Sequence, residues 1–288
     1  MSASKIEWTE VTWNPTTGCD RISSGCDNCY ALTLAKRLKA MEISLVAKGK
    51  LDAGKAKYQN DGDPRTSGPG FGVAVHHDVL IEPLHWRKPR MVFVNSMSDL
   101  GHARVERGFL ESVFAVMGVA RQHTFQVLTK RPGRVAKLLS DSSFRERMAE
   151  SMPFEDGNGG DDVFDWLAVN ASWPLPNVWM GTSIESDEYC WRADELRKTP
   201  AAVRFLSLEP LLGPLPSLNL EGIDWVIVGG ESGPKARPMH PQWASDIRDQ
   251  CADSGVPLFF KQWGGRTPKE NGRHLDGEIW DQYPLRQQ

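Results

Sequence analysis

Three of the five cysteines lie within eleven residues, where they could bind one soft metal centre together. Cys19, Cys26 and Cys29 stand in the stretch WNPTTGCDRISSGCDNCYA, with the spacing C-x6-C-x2-C. Thiolates at such spacings bind zinc or iron–sulfur clusters. Three sulfur ligands leave one coordination position to another ligand, and that ligand decides what the site does. Cys190 and Cys251 stand alone in helical stretches, so we expect them to be small packed side chains.

Two kinds of centre fit the clustered cysteines. A structural zinc site usually has four protein ligands, often from two CxxC-like pairs. The chain has one such pair, so the fourth ligand would be a distant cysteine or one of seven histidines. A cubane iron–sulfur cluster on three thiolates leaves its fourth iron open to a small molecule. The residues alone leave both possibilities open.

Short apolar segments alternate along the chain with amphipathic ones. The apolar segments predict seven strands, over 10–14, 91–96, 124–130, 177–183, 203–209, 224–230 and 257–262. Helical periodicity predicts helices over 30–48, 103–123, 134–150, 186–199 and 241–254. Such alternation is typical of an α/β fold whose parallel sheet is covered on both faces. We predict one domain, residues 1–288, forming a parallel (βα) barrel or partial TIM-like barrel, with a doubly wound sheet as the alternative.

Two segments interrupt this alternation. Residues 49–72 are rich in Gly, Lys, Asp and Pro, and residues 152–176 contain the acidic, turn-rich run PFEDGNGGDD. Neither segment is long enough to be a domain. We predict that both are loop insertions in the barrel.

Polar or ionisable residues end every predicted strand. In parallel βα folds these carboxyl ends meet at one edge of the sheet, where ligands bind. The clustered cysteines follow the first strand and therefore open onto the same edge. Three cations are predicted there: Lys130, Arg131 and Lys261. They either bind a carboxylate or phosphate of a substrate, or pair with the carboxylates of the edge: Asp99, Glu185, Glu209 and Glu231.

Composition and charge restrict the function classes. Hydrophobic residues make up 40% and charged residues 25% of the chain, as in ordinary globular proteins. A net charge of −3 gives no bulk attraction to nucleic acid, so such binding would need a local basic patch. No apolar run approaches the ~18 residues of a membrane span, and the first residues lack the apolar core of a signal peptide. We expect a cytoplasmic protein with no membrane partner.

Many phrases of the sequence resemble one phage- and prophage-associated family. They include WNPTTGC, GCDNCYA, NSMSDL, QVLTKRP, NVWMGTSIE, RFLSLEPLLG, WVIVGGESGP, ARPMHPQW and PLFFKQWGG. In this order, from Trp8 to about Gly265, they identify the chain as a member of domain of unknown function 5131. A three-cysteine loop after the first strand of a βα barrel also resembles the radical S-adenosylmethionine (SAM) superfamily. That superfamily usually has the spacing C-x3-C-x2-C and an aromatic residue where this chain has Asn28.

The superfamily resemblance implies an enzyme with two cofactors. A 4Fe-4S cluster on Cys19, Cys26 and Cys29 would reductively cleave SAM to methionine and a 5′-deoxyadenosyl radical, with flavodoxin or ferredoxin as reductant. By topology the end of the second strand would bind the methionyl amine of SAM. The end of the fourth strand would bind its ribose, and the ends of the fifth and sixth strands would bind its adenine. The implied SAM contacts are Ser96, Ser98 and Asp99, then Thr182, Ser183 and Glu185, then Glu209, Gly229, Gly230 and Glu231. The Gly-Gly-Glu run at 229–231 matches a superfamily motif that binds the amine, but it follows the sixth strand instead of the second.

The predicted function is thus a radical-SAM-like enzyme that acts on an unidentified substrate, with nucleic acid or a nucleotide as the candidate. Residues 85–88 and 261–263 combine basic and aromatic side chains that could bind phosphate and stack on a base. The alternative is a non-catalytic nucleic-acid-binding protein with a structural zinc or cluster site. A hydrolase that uses edge carboxylates and a divalent metal is weaker, because no HxH or HExxH spacing supports it.

Overall fold

Seven parallel strands form a curled sheet that resembles half of a barrel. The computed structural model describes Ser4 and residues 6–68, 70–152 and 166–284. Eleven strands lie in these ranges: β1 Val11–Trp13, β2 Thr16–Thr17, β3 Ala74–Val75, β4 Met91–Val94, β5 Thr124–Thr129, β6 Val178–Ser183, β7 Val203–Leu208, β8 Trp225–Gly229, β9 Leu258–Gln262, β10 His274–Leu275 and β11 Glu278–Ile279. The seven predicted strands are all present in the main sheet, and the other four form two short antiparallel pairs, β2 with β3 and β10 with β11.

The strands of the main sheet lie in the order of the chain, β1-β4-β5-β6-β7-β8-β9, and each neighbouring pair is parallel. A doubly wound sheet reverses its strand order at a switch point, so the observed order excludes that alternative. Within the described ranges β1 and β9 do not pair with each other. The sheet is therefore a partial barrel and not a closed one.

Helices follow most strands. The helix predicted over 241–254 has that range in the structure, and the other predicted helices are shorter or divided. The described α-helices are α1 Tyr30–Ala47, α2 Arg107–Val119, α3 Pro132–Leu139, α4 Phe144–Glu150, α5 Trp191–Arg197 and α6 Pro241–Ser254. The single helix predicted over 134–150 is wrong, because the chain turns between α3 and α4. There the Asp141 carboxylate accepts hydrogen bonds from both the backbone N and the Oγ of Ser143, at 3.0 and 2.7 Å. Such local side-chain bonds compete with helix continuation. None of the described helices has both the length and the hydropathy of a membrane span.

The two faces of the curled sheet bury different clusters, because alternate strand residues point to opposite faces. The convex face packs against the helices mainly through aliphatic residues, together with Trp13, Phe125 and Phe260. The concave face holds an aromatic cluster with Trp225 at its centre, and the ring centroids of Phe205 and Trp179 lie 5.8 and 5.9 Å from that of Trp225. Trp225 is the first residue of β8, and Trp8, which precedes β1, joins the same cluster. Aromatic side chains thus fill the amino-terminal end of the half-barrel.

The first predicted insertion, residues 49–72, packs against the cysteine-bearing segment. Gly18 has φ 84°, and a Cβ there would lie 2.0 Å from the carbonyl oxygen of Gly72, so glycine is required for this close backbone approach. Arg104 joins the two segments by pairing with Asp20 and Asp61, each at 2.5 Å. Of the second predicted insertion, residues 153–165 lie outside the described ranges. The part that follows, Trp166–Asn170, forms a π-helical turn.

Gly181, in the centre of β6, makes room for an aromatic ring of the concave cluster. A Cβ at this position would lie 2.4 to 2.6 Å from three ring atoms of Phe205. We predict that Gly181→Ala lowers the free energy of unfolding by about 1–3 kcal/mol through overpacking, measured by chemical denaturation. Gly108→Ala is the matched control, because a Cβ at that exposed position in α2 meets nothing within 4 Å. The control should be neutral or stabilising by up to about 1 kcal/mol; equal effects of the two changes would contradict this packing.

Candidate functional site

The clustered cysteines lie at the carboxyl edge of the sheet, between β1 and α1. Residues 18–29 form what we call the cysteine loop. It begins beside the end of β4, where Gly18 bridges Ser98, and it contains a 3-10 turn over Ser24–Cys26. Cys29 is the N-cap residue of α1. Cys19 and Cys29 both pack against a small apolar cluster formed by Ala31, Ala35, Phe71 and Met97.

Burial disfavours the charged form of two of these thiols. Burial raises the pKa of Cys19 to about 12, with a further contribution from the Asp99 carboxylate, while Arg131 acts in the opposite direction. Burial also raises the pKa of Cys29, and the backbone N–H groups of Leu32 and Ala31 in the first turn of α1 oppose that rise. The charge of Cys26 raises the pKa of both. Cys26 therefore lies within electrostatic reach of both other sulfurs.

Positive groups lie beside Cys19 and Cys29 and favour the thiolate forms of these residues. Arg131 Nη1 donates a hydrogen bond to Cys19 Sγ at 3.5 Å, and Cys29 lies at the positive end of the helix α1 dipole. At neutral pH the raised pKa keeps Cys19 and Cys29 protonated, whereas a coordinated metal deprotonates its thiol ligands outright. The loop is thus suited to hold thiolates when a metal centre replaces their protons.

Glu185 connects the cysteine loop to the sheet. Its side chain is 0% exposed and accepts hydrogen bonds from Lys130 Nζ at 3.0 Å, Arg192 Nη1 at 3.0 Å and the backbone N of Gly25 at 3.3 Å. Burial by itself would raise the pKa of Glu185, but Lys130 and Arg192 hold it below its usual value. Lys130 also donates to Ser23 Oγ at 3.1 Å, which lies 3.6 Å from Cys26 Sγ. One buried carboxylate therefore positions the Ser23–Cys26 turn, at Gly25 directly and at Ser23 through Lys130.

The other edge carboxylates are also paired with cations. Asp99 contacts Arg131 at 2.7 Å and accepts from Thr129 Oγ1 at 2.6 Å. Glu209 contacts Lys261 at 2.5 Å. For the predicted cations Lys130, Arg131 and Lys261, the structure thus confirms the pairing alternative.

Glu231 forms the remaining link between the edge and the cysteine loop. Arg237 Nη2 contacts Glu231 Oε1 at 2.5 Å and also donates to the carbonyl oxygen of Ser24 at 2.9 Å. Asn28 Nδ2 donates to Glu231 Oε2 at 2.9 Å. Asn28, which stands where the SAM superfamily has an aromatic residue, here anchors the loop to the segment after β8.

The structure brings every predicted SAM contact to the carboxyl edge, where most of their polar atoms bond to neighbouring segments. Ser96 Oγ donates to Asn14 Oδ1 at 3.1 Å, Ser98 Oγ to the carbonyl oxygen of Thr16 at 2.9 Å, and Thr182 Oγ1 to that of Thr129 at 2.8 Å. The carbonyl oxygen of Ser183 accepts from Arg192 at 2.9 Å.

The two glycines of the Gly-Gly-Glu run serve close packing. A Cβ at Gly230 would lie 1.9 Å from the carbonyl oxygen of Trp263, and one at Gly229 would lie 3.2 Å from the Glu209 carboxyl carbon. At Gly230 the backbone after β8 therefore packs directly on the backbone after β9. These contacts leave SAM binding a prediction.

Sequence reasoning missed Ser23, Arg192 and Arg237 as parts of the site. Arg192 lies in a strongly charged stretch, where an arginine is usually exposed, and yet it is almost fully buried beside Glu185. Only the structure shows that Arg192 pairs with Glu185. Arg237 belongs to the phrase ARPMHPQW, so the resemblance could have drawn attention to it.

The two basic and aromatic clusters lie at opposite edges of the sheet, and nucleic-acid binding by either stays a prediction. Residues 85–88 precede β4 and so lie at the opposite, amino-terminal edge, and the ring of Trp86 is buried. In residues 261–263, Lys261 pairs with Glu209, and Trp263 Nε1 donates to the carbonyl oxygen of His274. Neither cluster presents a free cation beside an exposed ring at the carboxyl edge.

The loop supplies three soft thiol donors, the type that both zinc and iron–sulfur clusters take. In the part of the chain that the structure describes, no three His, Cys, Asp or Glu side chains converge on one ion position. A 4Fe-4S cluster on these thiols and a structural zinc site therefore both stay predictions.

Comparison with known proteins decides the family. The profile of the family described as "Protein of unknown function (DUF5131)" matches residues 3–284. The chain belongs to the DUF5131 family. No curated protein and no solved structure matches the chain. The match confirms the family membership that the motifs predict, and it assigns no activity to this DUF5131 protein.

Removing the charge of Glu185 should destabilise the protein, because the buried Arg192 and the half-buried Lys130 would lose their counter-charge. We expect Glu185→Gln to lower the free energy of unfolding by about 3 kcal/mol, measured by urea denaturation. Glu188→Gln, at an exposed position three residues further on, is the matched control and should change it by less than about 0.5 kcal/mol. A loss of under about 1 kcal/mol in Glu185→Gln would show that this carboxylate does not hold the cysteine loop.

Proposed function

We propose that this DUF5131 protein is a radical-SAM-like iron–sulfur enzyme. The observation that carries the proposal is the position of the three cysteines. They lie between the first strand and first helix of a sequential parallel half-barrel, at the edge where such folds bind ligands. Cys19, Cys26 and Cys29 would hold a 4Fe-4S cluster whose fourth iron is left to SAM. The chemistry that these cofactors would supply when bound is one-electron cleavage of SAM, with the electron from a low-potential donor protein, to methionine and a hydrogen-abstracting 5′-deoxyadenosyl radical.

The residues around the loop would hold the cysteine ligands and exclude water. Arg131 would stabilise the thiolate of Cys19 through the hydrogen bond that it already donates. The first turn of α1 would do the same for Cys29. Residues 49–72, packed on Gly18 and tied by Arg104, cover one side of the loop. The protein's part in such chemistry is to position the cofactor and protect it from competing reactions.

The pair formed by Glu209 and Lys261 is the best-placed polar contact for SAM. By strand alternation both side chains lie on the concave face, two residues beyond Ser207 and Phe259 respectively. Glu209 is more exposed than Asp99, Glu185 or Glu231, with 21% of its side chain accessible. A ligand that enters above the aromatic cluster would meet this pair first, and its ammonium group could replace Lys261 beside the carboxylate.

Cleavage of SAM tests the proposal. Protein reconstituted with iron and sulfide without oxygen, then given dithionite and SAM, should form 5′-deoxyadenosine and methionine, quantified by liquid chromatography. Cys26→Ala should reduce the product to the level without protein. Cys251→Ala, which changes a buried cysteine far from the loop in sequence, should retain it. A wild-type protein that binds iron but forms no 5′-deoxyadenosine would refute the enzyme, and a single tightly bound zinc would favour a structural metal site.

A further inference from the structure

Helix α1 and the segment that follows it concentrate positive charge. Residues 30–57 contain seven lysines and arginines but only two acidic residues, in a chain of net charge −3. The remainder of the chain is therefore acidic. One of the two acids, Glu42, is buried and accepts hydrogen bonds from the backbone N atoms of Lys57 and Tyr58 at 3.1 and 3.0 Å. It is turned away from the surface that the cations share.

Five of the seven cations are exposed and form no ion pair with any residue that the structure describes. We name them the basic α1 surface: Lys36, Arg37, Lys48, Lys50 and Lys55. The other two are engaged, since Lys39 donates to Asn60 Oδ1 at 2.8 Å and Lys57 contacts Asp78 at 3.2 Å. Exposed cations without an ion pair occur elsewhere too, such as Lys235 beside Asn28, so the number of such cations in one short stretch is what distinguishes this surface.

Exposed apolar side chains share the solvent side of α1 with these cations. Tyr30, Leu34, Arg37, Met41 and Lys48 follow one another at intervals of four, three, four and seven residues, which places them on one helix face. Tyr30 and Met41 are 55% and 52% exposed. A membrane-surface helix separates its apolar face from its charged face, whereas here both kinds of side chain lie together. Aromatic and cationic side chains in one groove or face are the pattern of single-strand nucleic-acid binding.

We propose that the basic α1 surface binds the phosphate backbone of single-stranded nucleic acid and leads it to the cysteine loop. Helix α1 has 18 residues and starts directly after Cys29, so it forms a track about 27 Å long that ends at the cysteines. Lys48, Lys50 and Lys55 extend the positive charge past its far end. An extended polyanion matches this linear arrangement. At the near end, the exposed ring of Tyr30 is available to stack on an unpaired base, held by the bond from its hydroxyl to the carbonyl oxygen of Ser96 at 2.7 Å.

Single-stranded nucleic acid would then be the substrate class of the proposed enzyme. Only this catalytic role rests on the proposed function, and the binding itself does not. Binding along α1 involves none of the three cysteine sulfurs. It can therefore be measured in protein without a cluster, and its outcome is separate from that of SAM cleavage.

The test is the salt dependence of oligonucleotide binding by the full-length protein. Fluorescence anisotropy would follow a labelled single-stranded DNA of about 20 nucleotides, the RNA of the same sequence, and the DNA duplex. Each phosphate neutralised on a single strand contributes about −0.7 to the slope of log K against log salt, so five contacts give a slope of about −3.5. Arg37→Glu combined with Lys48→Glu should reduce that slope by about 1.4 and weaken low-salt binding at least tenfold.

The matched control is Arg87→Glu combined with Lys88→Glu, two exposed cations at the amino-terminal edge. It should leave the affinity within twofold of wild type. The absence of salt-dependent binding, or an equal loss in the control, would overturn the proposal. Binding of poly-glutamate with no binding of any oligonucleotide would also overturn it, in favour of an acidic protein partner. SAM cleavage without nucleic acid should stay at the wild-type level in Arg37→Glu with Lys48→Glu, which separates the two hypotheses.

Discussion

The buried carboxylate of Glu185 is the interaction on which the geometry of the cysteine loop depends. The loop has little regular structure, with one 3-10 turn over Ser24–Cys26, so its position must come from contacts with the sheet. Glu185 joins Lys130 of the neighbouring strand end, Arg192 of the following helix and the backbone of Gly25. Removing one member of such a buried set leaves the others uncompensated. The arrangement therefore favours one loop position over alternatives.

Pairing of every edge carboxylate determines the electrostatics around the sulfurs. With Asp99, Glu209 and Glu231 each held by a cation, the edge adds little unbalanced charge, and burial becomes the largest influence on the pKa of Cys19 and Cys29. At neutral pH Cys19 and Cys29 therefore stay protonated unless a metal centre displaces their protons. The aromatic cluster fills the amino-terminal end of the concave face, which leaves the carboxyl end as the place for polar chemistry. The half-barrel therefore supports the cysteine loop and forms one side of the site.

The parts of the structure that are local in sequence could be predicted, and the parts that depend on distant partners could not. Seven apolar segments predict seven strands, because burial on both faces leaves a continuous apolar run. Helical periodicity does not predict the break between α3 and α4, because this break depends on a side-chain hydrogen bond of Asp141 within a turn. Barrel closure depends on whether β1 meets β9, which no local pattern encodes. Arg192 and Glu42 look solvent-exposed in sequence, and their burial changes the interpretation of both the site and α1.

We propose that the three sulfurs of the cysteine loop hold an iron–sulfur cluster at the carboxyl edge. Metal analysis of protein purified without oxygen tests this proposal, by measuring iron, sulfide and zinc per chain in the same sample. We expect a brown protein with about four irons and four sulfides per chain. A colourless protein that contains one zinc per chain and no iron, even after anaerobic reconstitution, would contradict it.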